Sequence, residues 1–529
     1  MAITSLSLLF LLLALTPLSQ SAVFVSIDCG SSSDSYIDEN TIKWIGDKNL
    51  IQNGESHVVK DSNAVSKVMS TLRAFTTRKK NCYSIEAEKG GQVLLRVSFH
   101  YGNYDGKSSP PSFDLHADGN YWATVKFSSN DEVARYESIY VVKGDHISVC
   151  VAQIHPNQFP FISAIEVRSL DSNMYGHVDS NYALLVRLTV AYGSNTYIRY
   201  PYDPYDRKWG PEISDNGLIR LTSDAPMVQV NLTDNPPEAV LRHAVTTSRT
   251  SDPLILDTQI TSSVDAPIYI NMYFSEVTQL DSNQMRSFVF TIDGEVASKP
   301  IIPPYGDVLQ LYLTNTTASE NTTFALVATK NSTLPPLINA MEVFYVSGPL
   351  TDGTYSKDVE ALASLQEKYS LLQEWTGDPC LPSPFTWDWV NCSSEDTPRV
   401  TALYLDGFSL SGSIPDFSSL DALQTIDLHN NSLTGSIPES LGNLPNLKEL
   451  NLADNKLNGS IPTSLSKNSN LNLDVSGNPV LCSSSKLCTP KNKRTGSKSS
   501  SGSSVKTKSD KLPIILGVIV SSFFVFFLN

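Results

Sequence analysis

The sequence predicts a mainly β protein, with two tandem β-sandwiches followed by a short α/β solenoid. Three observations carry this expectation. Sequence blocks recur about 175 residues apart, those blocks alternate apolar and polar residues, and a 23 to 24-residue leucine pattern begins near residue 400. The chain has 529 residues, enough for about three or four domains.

Residues 1–21 carry no charged side chain, hold a Leu/Phe run and end in Ser19, Gln20 and Ser21. This reads as a secretory signal peptide, although the usual Lys or Arg is missing from its start. The duplication follows. Val93-Leu-Leu-Arg-Val-Ser-Phe99 matches Ile268-Tyr-Ile-Asn-Met-Tyr-Phe274, and Asp118-Gly119 matches Asp293-Gly294, both at 175 residues. Pro160-Phe-Ile-Ser-Ala164 matches Pro336-Leu-Ile-Asn-Ala340 at 176. A register kept so closely marks two copies of one fold, about 24–170 and 180–347, within a domain of 24–350. Leu95, Val97 and Phe99 share one face, as do Ile270, Met272 and Phe274, the pattern of half-buried antiparallel strands.

Residues 357–488 change character. Val359, Leu362, Leu365 and Tyr369 follow helical spacing. Leu403, Leu405 and Leu410 then recur as Ile426, Leu428 and Leu433, and again as Leu450, Leu452 and Leu457. Each such leucine-rich repeat supplies a strand and an apolar wedge that only stacked neighbours bury. Asn431, Asn455 and Asn478 sit at the buried turn, where an amide bonds successive backbones, whereas Phe408 leaves the first repeat without one. Close pairs Cys380 with Cys392 and Cys482 with Cys488 are expected disulfides capping the solenoid, with the pairing of Cys29, Cys82 and Cys150 left open.

A Ser/Lys-rich stalk, 489–511, precedes an apolar tail, 512–529. The 17 uncharged residues Leu512 to Leu528 would make a helix of about 25 Å against a hydrocarbon core of about 30 Å. The nearby lysines all precede the tail, the wrong side for a stop-transfer anchor. Small residues at Ser499 to Ser503, a polar spacer and the tail fit a glycosylphosphatidylinositol signal, with a short membrane segment as the other reading. Seven Asn-x-Ser/Thr sequons, at Asn231, Asn315, Asn321, Asn331, Asn391, Asn430 and Asn458, agree with glycosylation on the secretory route.

Net charge is −15, and more negative outside the basic stalk, which argues against nucleic acid as a partner. The closest histidines, His146 and His155, are nine apart, so no short zinc motif exists, and no nucleophile elbow or phosphate loop occurs. No catalytic, metal or cofactor site is expected. A glycosidase pair of carboxylates is the enzyme reading that spacing leaves open.

A family resemblance gathers these features. Ile27-Asp-Cys-Gly30, Tyr101-Gly-Asn-Tyr-Asp-Gly106, Ile147-Ser-Val-Cys150 and Tyr205-Asp-Arg207 with Trp209 resemble the plant malectin-like extracellular domain. Trp375-Thr-Gly-Asp-Pro-Cys380 and the Gly-Ser-Ile-Pro repeats resemble the leucine-rich part of plant malectin-like receptor kinases. The resemblance covers about residues 24–488 and implies carbohydrate or secreted-peptide recognition. Such receptors continue into a kinase, and this sequence holds no kinase motif, so the expectation is a kinase-less receptor-like protein on the cell surface working with a transmembrane receptor kinase. The runner-up is a wall adhesive whose Lys486, Lys491, Lys493, Arg494 and Lys498 hold acidic polysaccharide.

A sugar site needs rings for apolar pyranose faces and polar groups for hydroxyls. Tyr101, Tyr104, Asp105 and Trp122 supply these in the first copy, and Tyr202, Tyr205 and Trp209 in the connecting stretch. Residues 101–106 are also rich in turn formers, so a shaped turn is the competing role.

Overall fold

The computed structural model describes residues 22–60, 66–211 and 217–482, the last by its backbone alone. The expected signal peptide, stalk, apolar tail and Cys482–Cys488 pair lie outside the described residues. The chain divides into a unit ending at Ser484 and a second from Ser485 onward, and the description concerns the first.

The repeated blocks build the same three sheets twice. In the first half Phe24–Asp28, Ala164–Leu170, Gln92–His100 and Val133–Val141 lie side by side; in the second, Leu184–Ala191, Ala340–Val346, Ala266–Phe274 and Leu309–Ala318 take the same order. A four-stranded sheet faces each set, ordered Lys80–Glu86, His146–Ala152, Phe113–Ala117, Asn120–Val125 and then Leu254–Leu256, Phe324–Ala328, Phe288–Ile292, Glu295–Val296. The halves are not separate in their larger sheets. Ser138 and Ile139 pair with Leu185 and Leu184, so both sets run as one 11-stranded sheet. That pairing satisfies two edges that would otherwise present unpaired amides.

Leu95, Val97 and Phe99 are buried as expected, and so are Ile270, Met272 and Phe274. The strands are not half-buried, however. Leu94, Arg96, Ser98 and His100 on the other face of Gln92–His100 are buried too, as are Tyr269, Asn271 and Tyr273 in the second half. A second layer of chain covers that face, and polar networks match its charges.

Cys82 and Cys150 face each other on paired strands and form a disulfide; Cys29 is a free, buried thiol. Burial pushes that thiol well above its usual range.

Ser356–Lys368 is the expected helix, burying Leu362 and Leu365. Its Asp358 accepts from the Arg399 Nε at 2.9 Å and the Val400 amide at 2.8 Å, tying the helix to the first solenoid strand. The solenoid strands Val400–Tyr404, Thr425–Asp427, Glu449–Asn451 and Asn472–Asp474 pair in parallel. Asn455 donates to the carbonyls of Leu428, Leu452 and Ala453 and accepts from the Leu433 amide. Asn431 reaches back to Leu405 and Leu410, so the first repeat is bonded although it has Phe408 instead of Asn. Phe408 packs with Trp375, ring centroids 6.1 Å apart.

The solenoid cap locks onto the first half. The Lys80 ammonium donates to the carbonyls of Asp378 at 2.7 Å and Leu381 at 2.8 Å, and the Thr376 hydroxyl donates to the Cys82 carbonyl at 2.6 Å. Arg78 pairs with Glu374 and lies 3.8 Å over the Trp375 ring. Cys380 and Cys392 form a disulfide within the cap.

Candidate functional site

After Leu184–Ala191 the chain crosses the second face of the large sheet as a strap, closed where Ile198 and Trp209 exchange two backbone hydrogen bonds of 2.9 Å. Sheet register sets Glu137, Arg96 and Glu166 on one rung. The strap inserts Asp206 among them. Its carboxylate accepts from Arg168 Nε at 2.9 Å and Arg199 Nε at 2.8 Å, and its carbonyl from Arg96 at 2.7 Å. Glu166 accepts from Arg96, Arg168 and Arg199, and Glu137 from Arg96. Burial would raise the Asp206 carboxyl, but the Arg199 hydrogen bond and the charges of Arg96 and Arg168 outweigh it and hold it well below the usual carboxylate range.

The next residue points its charge into the second half. Arg207 pairs with Asp203 at 2.8 Å, donates to the Asp234 carbonyl at 2.7 Å and donates to the Tyr175 hydroxyl at 3.2 Å. Tyr175 and Tyr273 both donate to Glu342, and Asn271 to Asp234. Burial raises the Glu342 carboxyl, opposed by Arg207 and the tyrosine hydroxyls. Adjacent residues of opposite charge thus plug the two halves, which is what the Tyr-Asp-Arg motif does here. Sequence reasoning missed these networks, whose members lie far apart in the chain.

The candidate ligand residues separate into several places. Tyr101 is fully buried, donates to Asp105 and meets Tyr104 edge-on at 5.6 Å. Gly102 has φ +47, and a Cβ there would lie 2.5 Å from the Val59 Cβ. Residues 101–106 therefore shape a turn sealed on the core, and Tyr101 offers no ring to a sugar. Trp122 is also buried and lines a cavity of about 30 Å³ with Tyr121, Tyr140 and Leu350. Trp209 is fully buried with its indole donating to Asp203, so it too leaves the candidate set because the core needs its ring. Tyr205 is half-buried and donates to Asp171. Tyr202 is 73% exposed on the strap.

The solenoid presents a second surface. Ala402, Thr425, Glu449 and Asn472 align across its parallel strands, as do Tyr404, Asp427, Asn451 and Asp474. Tyr404 is 42% exposed. His429 Nδ1 lies 2.7 Å from Asp427, whose hydrogen bond raises the imidazole above its ordinary value. All seven sequon asparagines are exposed. Among the described residues no group of three or more His, Cys, Asp or Glu side chains is placed to hold a metal ion. Among them, too, no helix is long and apolar enough to cross a membrane.

The malectin-like domain profile matches residues 27–346, and the leucine rich repeat profile matches 398–457 and 421–480. A probable LRR receptor-like serine/threonine-protein kinase of Arabidopsis thaliana is 33% identical over 77% of this chain and 47% of its own length. An uncharacterized Arabidopsis thaliana protein is 38% identical, covering 67% of this chain and 71% of its own. The chain thus spans about half the length of the receptor-kinase relatives it matches. The crystal structure of the ANX2 ectodomain from Arabidopsis thaliana aligns with a TM-score of 0.53 at 17% identity, over 62% of this chain and 97% of that one. The plant peptide RALF23 complex with FER and LLG2 aligns with a TM-score of 0.50 at 17% identity, over 61% of this chain and 95% of that one. With its duplicated sheets, its strap and a profile match over more than half its length, the chain belongs to the malectin-like domain family and carries leucine-rich repeats behind that domain.

Proposed function

We propose that this protein is a kinase-less receptor-like protein of the cell surface. Its malectin-like part, two sandwich-like halves of one duplicated unit, takes an extracellular ligand. The solenoid engages a transmembrane partner, and the chain itself catalyses nothing. The observation that carries this reading is the pairing, in one locked unit, of a receptor-type malectin-like domain with a parallel solenoid face whose polar side chains carry no covering segment among the described residues. A solved relative in fold holds the peptide RALF23 together with a second protein, which favours a secreted peptide over a carbohydrate as the ligand class. The exposed sequons support passage through the secretory route and glycosylation there. Attachment at 512–529, by lipid or by a short membrane segment, would confine ligand receptor and partner to one surface, where a small interface suffices.

The intact chain, purified from plant cells, is exposed to a glycan array and to a library of secreted plant peptides. Specific capture of a peptide supports the reading; capture of neither class removes it.

A further inference from the structure

Leu309–Ala318 is the last strand of the large sheet, paired with Ala266–Phe274 on one side and with no strand on the other among the described residues. Its ladder breaks near the middle. Leu313 faces Ile270 and Thr316 faces Ile268, so Thr314 and Asn315 together stand opposite Tyr269. Such a bulge leaves one residue unpaired and re-aims its side chain. Asn315 has φ +54, a left-handed conformation that Asn adopts more readily than most residues. It is exposed, and it begins the sequon Asn315-Thr316-Thr317. Asn315 also lines a cavity of about 360 Å³, and none of the other six sequon asparagines does. Pro267, Val346 and Tyr182 give that cavity apolar walls, and Asp179, Thr314 and Thr317 give it polar ones. His177 completes the lining, its ring stacked on Tyr312 with centroids 3.6 Å apart.

We propose that Asn315 is N-glycosylated and that the innermost N-acetylglucosamine of its glycan lies in this cavity, held by the chain that carries it. This rests on the secretory-route reading above and adds which glycan is seated, and where. The sugar arrives on a lipid pyrophosphate: its C1–O bond breaks as a bond from C1 to the Asn315 Nδ2 forms, and the lipid pyrophosphate leaves with the amide proton. An N-acetylglucosamine ring offers apolar faces and an acetamido methyl to Pro267, Val346 and Tyr182. Its hydroxyl and amide groups suit the Asp179 carboxylate and the threonine hydroxyls. The volume is at the small end of the range of about 300 to 1,000 Å³ usual for small-molecule sites, so the cavity takes the first sugar and leaves the branches in solvent.

The test expresses the full-length chain in plant cells treated with kifunensine, which keeps every glycan in oligomannose form, and digests the folded protein with endoglycosidase H. The enzyme cuts between the first and second sugars, and mass spectrometry follows the stub left on each sequon peptide. The expected result is a glycan at Asn315 released about tenfold or more slowly than those on the other sequons, with equal rates after denaturation. Thr314→Arg changes a cavity wall outside the sequon. It should keep the glycan and bring its release to the rate of the others; the wild-type rates decide alone if that variant does not fold. Native release at Asn315 as fast as elsewhere overturns the proposal, as does slow release that persists in folded Thr314→Arg. If other sequons carry glycans and Asn315 is bare, this proposal falls while the secretory-route reading stands; if all seven are bare, both fall.

Discussion

Gly377 of the solenoid cap lies against the disulfide of the first half, so close that a Cβ on it would fall 2.6 Å from Cys82 Sγ and 3.0 Å from Cys150 Sγ. Its φ of +74 is a conformation that other residues adopt at a cost. Both effects act in the same direction. Gly377→Ala should destabilise the protein by about 2 kcal/mol. The check is the denaturant midpoint at constant m-value, and an unchanged midpoint would show that the cap is not seated on the disulfide.

Lys80 sits at the same junction, its ammonium lowered to about 8 by burial and only partly restored by Asp378 and Asp388. The unfolded chain keeps lysine near about 10.4, so between pH 8 and that value the unfolded state binds more protons. Stability should therefore rise with pH across this window, by up to about 3 kcal/mol. Lys80→Met should remove that slope, read as the difference between wild-type and variant unfolding free energies at pH 7.5 and 10.

Asp206 acts with the same sign in an acid window. Its folded carboxyl titrates below the unfolded one, so its contribution is complete above about pH 4 and is lost as pH falls below that. Asp206→Asn leaves the buried guanidinium groups of Arg96 and Arg168 and the half-buried one of Arg199 without a shared anion and should cost about 3 kcal/mol at pH 7. The gap between wild type and variant should narrow on acidification toward pH 3, as followed by thermal melts.

Asn455→Ala removes one acceptor and three donor contacts from buried backbone groups. The Leu433 amide then lacks that acceptor, whereas the Leu428, Leu452 and Ala453 carbonyls keep Asn431, Asn478 and the Asn430 amide as donors, so the expected loss is about 1 to 3 kcal/mol, seen in urea unfolding. Hydrogen exchange at the Leu433 amide should rise first.

Much of this architecture was legible in the residue pattern. The 175-residue offset placed Gln92–His100 opposite Ala266–Phe274 in the duplicated plan, and the Asn431, Asn455 and Asn478 spacing marked the solenoid ladder. What escaped was set by long-range contact. Nothing local shows that Ser138 pairs with Leu185, which fuses the two large sheets. The alternation of Leu95, Val97 and Phe99 marks one buried face but is silent about the strap that covers Arg96 and its partners. The aromatic residues misled for the same reason: Tyr101, Trp122 and Trp209 have the composition of a sugar site, and only tertiary packing shows that their rings fill core.

The central claim is a division of labour, with ligand held by the malectin-like part and the partner by the solenoid. Its most direct test uses the full-length chain, expressed in plant cells, carrying Tyr404→Arg/Asn451→Arg, two outward positions on one row of the solenoid sheet. Peptide capture and co-purified transmembrane kinase are quantified from the same cells. The account predicts unchanged peptide capture with kinase recovery reduced at least about tenfold, the scale of losing a contact at a small interface's centre. Loss of peptide capture with kinase recovery intact would contradict it.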